Sequence, residues 1–550
     1  MMENIKKVLS SFETEYIEDY KSNYVKAKFK NPADLLPIIE ALIEEGVKSC
    51  STVSPTDYLE ENRMEINYFL EDMLTHRNVW LKVDIPRELD ECEIDSITPL
   101  MPSADWHELE SYSTFGVKFK GHPNLRYFLI STDYYGLYPF RKDFDYLEHE
   151  KKLNENIADI TNEYHDEYEE QEKNSDPESS QTILNWGPTH PASGPIRLKV
   201  TADGEVIKKI DLDIGYVWRA LEDLVTRKDF IGAIVAVERV CFMDNTNPMI
   251  CYAQAVEEIA GKEITPFAKY MRVILGEVGR SASHLVAMGG FFGNMGLMTF
   301  MMWMLDIREA YLDVLDNYSG ARIATACIEP GGVRYPLEDY KEFFASVRKA
   351  LAKLEKHDSE IENIFMKNPL MATRAKDAGI FDKDDMEKYY LCGPVARAIG
   401  EKVDVRLDEP YAAYADLEMD YELEQTGDAR DRLLMLYREM KQSADLIEQA
   451  MKKIEEGIEA EEMNPQKDHM VKMPRKMPAG EAVSRVEWAR GEMLMHLVTM
   501  EKSSSPYRLK IKAPSLNHTL VLDPMLRGKT LSDISLLYGS MNICQGDLDR

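Results

Sequence analysis

Between Glu148 and Glu178 the chain carries twelve acidic residues against three basic ones, and it leaves that stretch through KNSDPESSQ. Such a segment repels itself and has little to bury, so it reads as a linker, helical in part at most. It divides the 550 residues into a body over 1–147, a linker over 148–182 and a larger body over 183–550. The first body has an α+β pattern: a helical LLPIIEALIEEG, then NVWLKVDI, FGVKFKG and LRYFLIST as strands. The second opens with RLKVTADGEVIKKIDLDI, two short strands around an Asp-Gly turn. It then turns mainly helical. Leu433, Tyr437, Met440, Ala444, Ile447, Met451 and Ile454 alternate steps of four and three, the apolar stripe of one long bundle helix. EMLMHLVTM and YRLKIKAPS return to strand character near the end, so the fold class is α+β with a predominantly helical second body carrying small sheets.

A formal charge of −31 argues against nucleic acid as a partner, whose phosphates select a basic surface, and against direct contact with an anionic bilayer. The seven cysteines are sparse, odd in number and never spaced C-x-x-C. That disfavours a disulfide framework and any zinc or iron–sulfur site of the usual spacing. The first residues lack the apolar core of an export signal, which predicts a cytosolic location. Residues 285–305 are uncharged and long enough to span a bilayer, yet they hold Gly289, Gly290, Gly293 and Gly296 and have no flanking basic cluster. They read as two helix pieces buried by neighbouring helices and joined near the glycines. Generic motifs add little. Gly528-Lys529-Thr530 lacks the glycine a phosphate loop needs five residues earlier, where Asp523 stands, and GGFFGNMG opens no βαβ unit.

Longer segments go further. WGPTHPASGPIRLKV, DIGYVWRALEDLV, MRVILGEVGRSASHLVAMG and SPYRLKIKAPS resemble the family that holds the large subunits of nickel–iron hydrogenases and the 49-kDa (D-type) subunit of respiratory complex I. PSADWHELESYSTFGVKFKGHPNLRYFLI and YPFRKDF resemble the 30-kDa (C-type) subunit, in the order C then D. The resemblance implies a 30-kDa-type α+β domain followed by a helical bundle of hydrogenase large-subunit type.

Family members with nickel hold it by four thiolates from two C-x-x-C pairs. Here the first pair falls in ERVCFMD, with Cys241 kept and Asp244 in the second place; the other falls in CQGDLDR, with Cys544 kept and Asp547 in the second place. Hard carboxylates are poor substitutes for bridging thiolates, so hydrogen chemistry is not expected. The resemblance thus implies no metal and no cofactor resident in this chain. Complex I members carry H-P-x-x-H-G and a tyrosine three residues after an arginine. This chain has His190-Pro191-Ala192-Ser193-Gly194, without the second histidine, and Phe242 at the tyrosine position, which has no hydroxyl to donate. A quinone remains possible, though not through its standard ligands.

The match further implies that His190 and Arg239 stand beside the terminal 4Fe–4S cluster of a partner subunit, where a cation and an imidazole stabilise the reduced cluster. Glu238 is a proton-relay candidate. Lys512, in IKAPS, stands where hydrogenases tend to place an arginine over the active site, and Asp404 and Arg406 resemble a loop lining the same cavity. His284 reads as a satisfied core histidine. If Cys241, Cys544, Asp244 and Asp547 converge, they have the chemistry to relay protons, hold a metal or attack a sulfur substrate; the competing reading is a vestigial pocket of buried small side chains.

The function expected is that of a large subunit in a membrane-anchored, energy-converting oxidoreductase. It would receive electrons from the partner cluster, with a sulfane-sulfur compound as the most concrete acceptor and ion translocation coupled to the transfer. The alternatives are the C/D-type component of a divergent NADH- or ferredoxin-quinone oxidoreductase and a non-catalytic coupling subunit. Expected partners are a small 4Fe–4S subunit, a ferredoxin-like subunit, antiporter-like and other membrane subunits, and a soluble donor such as ferredoxin. The expected place is the cytoplasmic side of the membrane, held there peripherally through partners.

Overall fold

The computed structural model describes residues 2–153, 181–189, 194–420 and 422–550. Most of the acidic segment, and His190 with it, lie outside the described residues. The chain forms two units: Met1–Trp218 with Leu526–Leu531, and Arg219–Met525 with Ser532–Arg550.

The first unit is built on a five-stranded sheet in the order Thr14–Lys21, Tyr24–Phe29, Arg77–Pro86, Arg63–Asp72, Ser49–Tyr58. Tyr24–Phe29 and Arg77–Pro86 run parallel, with Val25 opposite Val79, and the other pairings are antiparallel. NVWLKVDI lies in the strand Arg77–Pro86, and the helix Leu35–Glu44 forms where LLPIIEALIEEG places it. Ser49–Tyr58 carries Pro55 and sits at the sheet edge, where proline is tolerated. FGVKFKG shrinks to a three-residue strand, Lys118–Lys120, and LRYFLIST forms none. There Phe128 packs on Trp106 at 4.9 Å and its N–H bonds to Ser113 Oγ at 2.8 Å, while Leu129 turns to φ +68°. Tertiary contacts claim the apolar residues that periodicity assigned to a sheet. Strands Gln181–Trp186, Arg197–Asp203 and Val206–Asp213 make a separate antiparallel meander, the last two joined at the Asp-Gly turn.

In the second unit the helix Pro266–Asn294 starts behind Thr265, whose hydroxyl accepts the Ala268 N–H at 3.1 Å, with Pro266 in the first turn where no partner for its nitrogen is needed. It packs against Ala429–Glu459, a 31-residue helix capped by Asp428 on the Asp431 N–H at 2.8 Å. Its stripe of Leu433, Tyr437, Met440, Ile447, Met451 and Ile454 is buried. Residues 285–305 cross from the end of the first helix into a second, Met298–Ser319, through a break at Gly296 (φ +80°). A Cβ on Gly289 would stand 3.3 Å from Met304 Cβ, so the glycine permits the two helices to close on each other. Met298 and Met302 are exposed at the tip of this helical hairpin, so burial is not continuous along the segment. Among the described residues no helix is long and apolar enough to cross a membrane. Helix Thr246–Ala260 lies on the hairpin Gly480–Trp488 and Gly491–Thr499, which pairs in turn with Arg508–Lys512.

Candidate functional site: a buried thiol pair

Cys241 and Cys544, 303 positions apart, meet with their sulfurs 3.2 Å from each other, and both are buried. Cys241 ends a short turn after the helix Ile234–Val237; Cys544 stands before the C-terminal helix Gln545–Asp549. Two devices hold these limbs together. The Arg219 guanidinium donates to the carbonyls of Arg239 (2.6 Å) and Gly546 (2.5 Å), one on each limb. Gly546 sits so close that a Cβ there would be 3.0 Å from the Val240 carbonyl and 3.6 Å from Cys544 Sγ. The N–H of Cys544 also bonds to Ser515 Oγ at 3.1 Å.

Asp547 joins the sulfurs: the ligating atoms of Cys241, Cys544 and Asp547 lie within 4.8 Å of one another, all three buried. Behind them, at the hairpin turn between Trp488 and Gly491, Arg490 is buried with its Nε 3.6 Å from an Asp547 oxygen. Burial pushes the Cys241 thiol up, but the hydrogen bond with Cys544 and the Arg490 charge outweigh it and bring the thiol down to about 6. Cys544 moves the opposite way, held up by the same hydrogen bond, by burial and by the neighbouring sulfur's charge; the pair therefore shares a single thiolate. Burial lifts Asp547 to about 7, with Arg490 opposing.

Asp244 does not join this cluster. Its carboxylate accepts from Thr246 Oγ1 (2.9 Å) and from the side chain of Asn247 (2.8 Å), and burial raises its pKa. Glu238 is buried, bound to Arg239 at 2.7 Å and to the Ala326 N–H at 2.8 Å; Arg239 and Phe242 face outward. Lys512 belongs to a different group: its ammonium lies 3.3 Å from Glu492 and over the Tyr390 ring, near Cys392 and His518. Asp404 and Arg406 pair at 2.7 Å inside a buried network with Glu277 and Gln442. His284 bonds Glu439 at 2.9 Å. Arg490 and Arg219 escaped the sequence reading. The one sequence trace of Arg490 is an Arg-Gly turn inside an otherwise apolar strand pair, and Arg219 acts through backbone carbonyls, which leave no trace in side-chain identity.

Comparison with known proteins fits this architecture. Residues 30–150 match the family model of the respiratory-chain NADH dehydrogenase 30-kDa subunit, and residues 294–550 that of the 49-kDa subunit. The chain is 30% identical to the C/D polypeptide of the NADH-quinone oxidoreductase of a Hydrogenobaculum species, over 97% of both chains. It belongs to the fused C/D family of NADH dehydrogenase-type oxidoreductase subunits. The D-type subunit of the Dehalococcoides mccartyi NADH-quinone oxidoreductase is 33% identical over 67% of this chain and 98% of its own length. The membrane-bound sulfane sulfur reductase, an archaeal respiratory membrane complex, gives a TM-score of 0.64 at 27% identity, covering 68% of this chain and 100% of the matched one.

As a C/D-family subunit it is an oxidoreductase component without the four-cysteine nickel–iron set. A nickel–iron centre does not fit the pocket, because two of its four thiolate places are carboxylates and Asp244 is committed to the start of its own helix. The expectation that this chain holds no cofactor site of its own needs correction, however. Cys241, Cys544 and Asp547 form a metal-competent cluster within one chain. Its ligands were named from the sequence as residues able to hold a metal on convergence, but they come from two distant segments, so their meeting shows only in the fold.

Proposed function

We propose that this chain is the C/D-type subunit of a divergent complex I-like oxidoreductase that passes electrons from a partner's 4Fe–4S cluster to a quinone. The observation that carries this is the full-length likeness to the C/D polypeptide of an NADH-quinone oxidoreductase, 97% of both lengths. With Phe242 in place of a tyrosine, the head group would lie against the exposed ring and take a hydrogen bond from the outward-facing Arg239 guanidinium, a donor that never needs to ionise. Other subunits would hold the chain on the cytoplasmic face of a membrane, beside antiporter-like subunits that translocate ions. A ferredoxin-like subunit and a soluble donor such as ferredoxin would feed the cluster. The test uses the purified complex with its clusters reduced. Menaquinone-analogue reduction that falls at least tenfold in Arg239→Met supports the reading, and cluster reduction without any quinone turnover overturns it.

A second reading is favoured by one specific observation. Two sulfurs in contact, one drawn toward its thiolate, suit a sulfane-sulfur acceptor, and the sulfane sulfur reductase likeness points the same way. Sulfide release from inorganic polysulfide by the same complex separates the two readings.

A further inference from the structure

We infer that Cys241 and Cys544 are a redox-active dithiol that closes to a disulfide during turnover on a sulfane-sulfur substrate. This rests on the second reading above and gives it a mechanism. None of the seven cysteines is in a disulfide and all are buried, and among the described residues this is the one pair whose sulfurs touch. Three of the others have different neighbours: a serine carbonyl for Cys251, a threonine hydroxyl for Cys327 and a histidine for Cys392. Closing the 3.2 Å gap to a bond of about 2.05 Å asks for roughly 1 Å of movement, which side-chain rotation supplies.

The surroundings keep both partners in place through the cycle. Arg219 ties the two limbs through backbone carbonyls, so the tie does not depend on the oxidation state of the sulfurs. Arg490, buried behind them, has Nε and Nη1 without hydrogen-bond partners, and its charge acts on both sulfurs. Nε keeps only its 3.6 Å ion pair with Asp547, and N–H groups of a buried guanidinium that make no hydrogen bond are costly unless something accepts from them. An anionic sulfur, released as a substrate S–S bond breaks, is such an acceptor and forms beside them.

The chemistry balances. Cys241 attacks one sulfur of R–S–S–R′; that S–S bond breaks, the first fragment leaves as a thiol, and a mixed disulfide remains. Cys544 then attacks Cys241, forming the intrachain disulfide and releasing the second thiol. One S–S bond is lost and one gained, the pair's single thiol proton and one proton from solvent leave on the products, and the substrate has gained two electrons. Two electrons from the partner's iron–sulfur cluster and one proton restore the pair as one thiol and one thiolate.

The test takes the full-length chain, treated with chelator and reduced, and exposes it to inorganic polysulfide. Acid quenching, N-ethylmaleimide labelling and peptide mass spectrometry follow. The expected result is the loss of two labelled thiols and a peptide joining Cys241 to Cys544, both reversed by dithiothreitol and unchanged in Cys392→Ser. Cys544→Ser should instead hold sulfur on Cys241. Failure to find the cross-linked peptide while polysulfide is consumed overturns the proposal, as does a divalent ion that survives chelation and keeps both thiols unreactive. If the cross-link forms but the purified complex reduces quinone and not polysulfide, the dithiol stands and the sulfane-sulfur reading falls.

Discussion

Glu277→Gln should destabilise the second unit by about 3–5 kcal/mol at pH 7 while leaving side-chain volume almost unchanged. Glu277 is fully buried in the helix Pro266–Asn294 and accepts hydrogen bonds from Arg280 (3.0 Å), Arg406 (3.1 Å), Ser443 (2.6 Å) and the Tyr414 hydroxyl. Gln keeps the shape but removes the charge. Arg406 retains Asp404, whereas Arg280 loses its carboxylate partner inside the core. A linkage argument gives the same scale. Burial alone would raise the Glu277 carboxyl, but Arg280 and Arg406 more than offset it and hold the group down at about 2, against an ordinary 4.5. At roughly 1.4 kcal/mol per tenfold change in proton affinity, that is worth about 3 kcal/mol. Because the folded value is depressed, the unfolded chain binds the extra proton between pH 2 and 4.5. The contribution is complete above about pH 4.5 and is lost as the pH falls toward 2. Hydrogen exchange of the amides in Pro266–Asn294 reads the opening free energy of this unit without assuming that 550 residues unfold in one step. The variant should lose protection at pH 7, with the gap to wild type closing as the pH drops below 4.5. A difference under 1 kcal/mol at pH 7, or one indifferent to pH, would show that the guanidinium groups are neutralised elsewhere.

Gly279→Ala should cost about 1–3 kcal/mol, because the new Cβ would collide with Thr246 Oγ1 and lie 2.8 Å from Asp244 Oδ1; the midpoint of chemical unfolding checks it. Asp547→Asn should make the chelated chain more stable than wild type at pH 8 and no different near pH 4. The folded state holds a proton on Asp547 up to about 7 that the unfolded chain releases near 4, so wild-type stability declines as the pH rises through that window; a variant weaker at pH 8 refutes this. Stoichiometric zinc should slow polysulfide cross-linking of Cys241 to Cys544, and Asp547→Asn should weaken that protection, both read by thiol labelling.

What was legible in the sequence divides by physical cause. The long helix Ala429–Glu459 announced itself because one face is apolar at helical spacing over six turns, and Arg508–Lys512 because Leu509 and Ile511 alternate with charged residues. The edge strand Ser49–Tyr58 was hidden by its proline and polar residues, which helix Asp105–Phe115 buries. The family resemblance located Cys241 and Cys544, and the fold brings their sulfurs into contact. It did not reveal that Asp244 would turn away while Asp547 stays, since that depends on Thr246 and Asn247 intercepting one carboxylate. Nor did it suggest that Lys512 would be absorbed by Glu492 and Tyr390, leaving Arg490 and Arg219 as cations that act on the thiols.

Charge then limits the states this pocket can hold. Arg490 is a permanent positive charge on a buried side chain, and a buried charge without a counter-charge is expensive. One thiolate shared by the sulfur pair neutralises it, which is why the first thiol proton leaves readily and the second is retained. When the sulfurs join in a disulfide that thiolate disappears, and Asp547, 3.6 Å from the guanidinium, is the group left to carry the negative charge. A dication bound by two thiolates and the Asp547 carboxylate also brings the sum with Arg490 to zero. Asp547 therefore does more than stand in a nickel-ligand position. With Arg490 and the two sulfurs it makes a site balanced for one disulfide or one divalent ion, but not both, since each consumes the same two thiols.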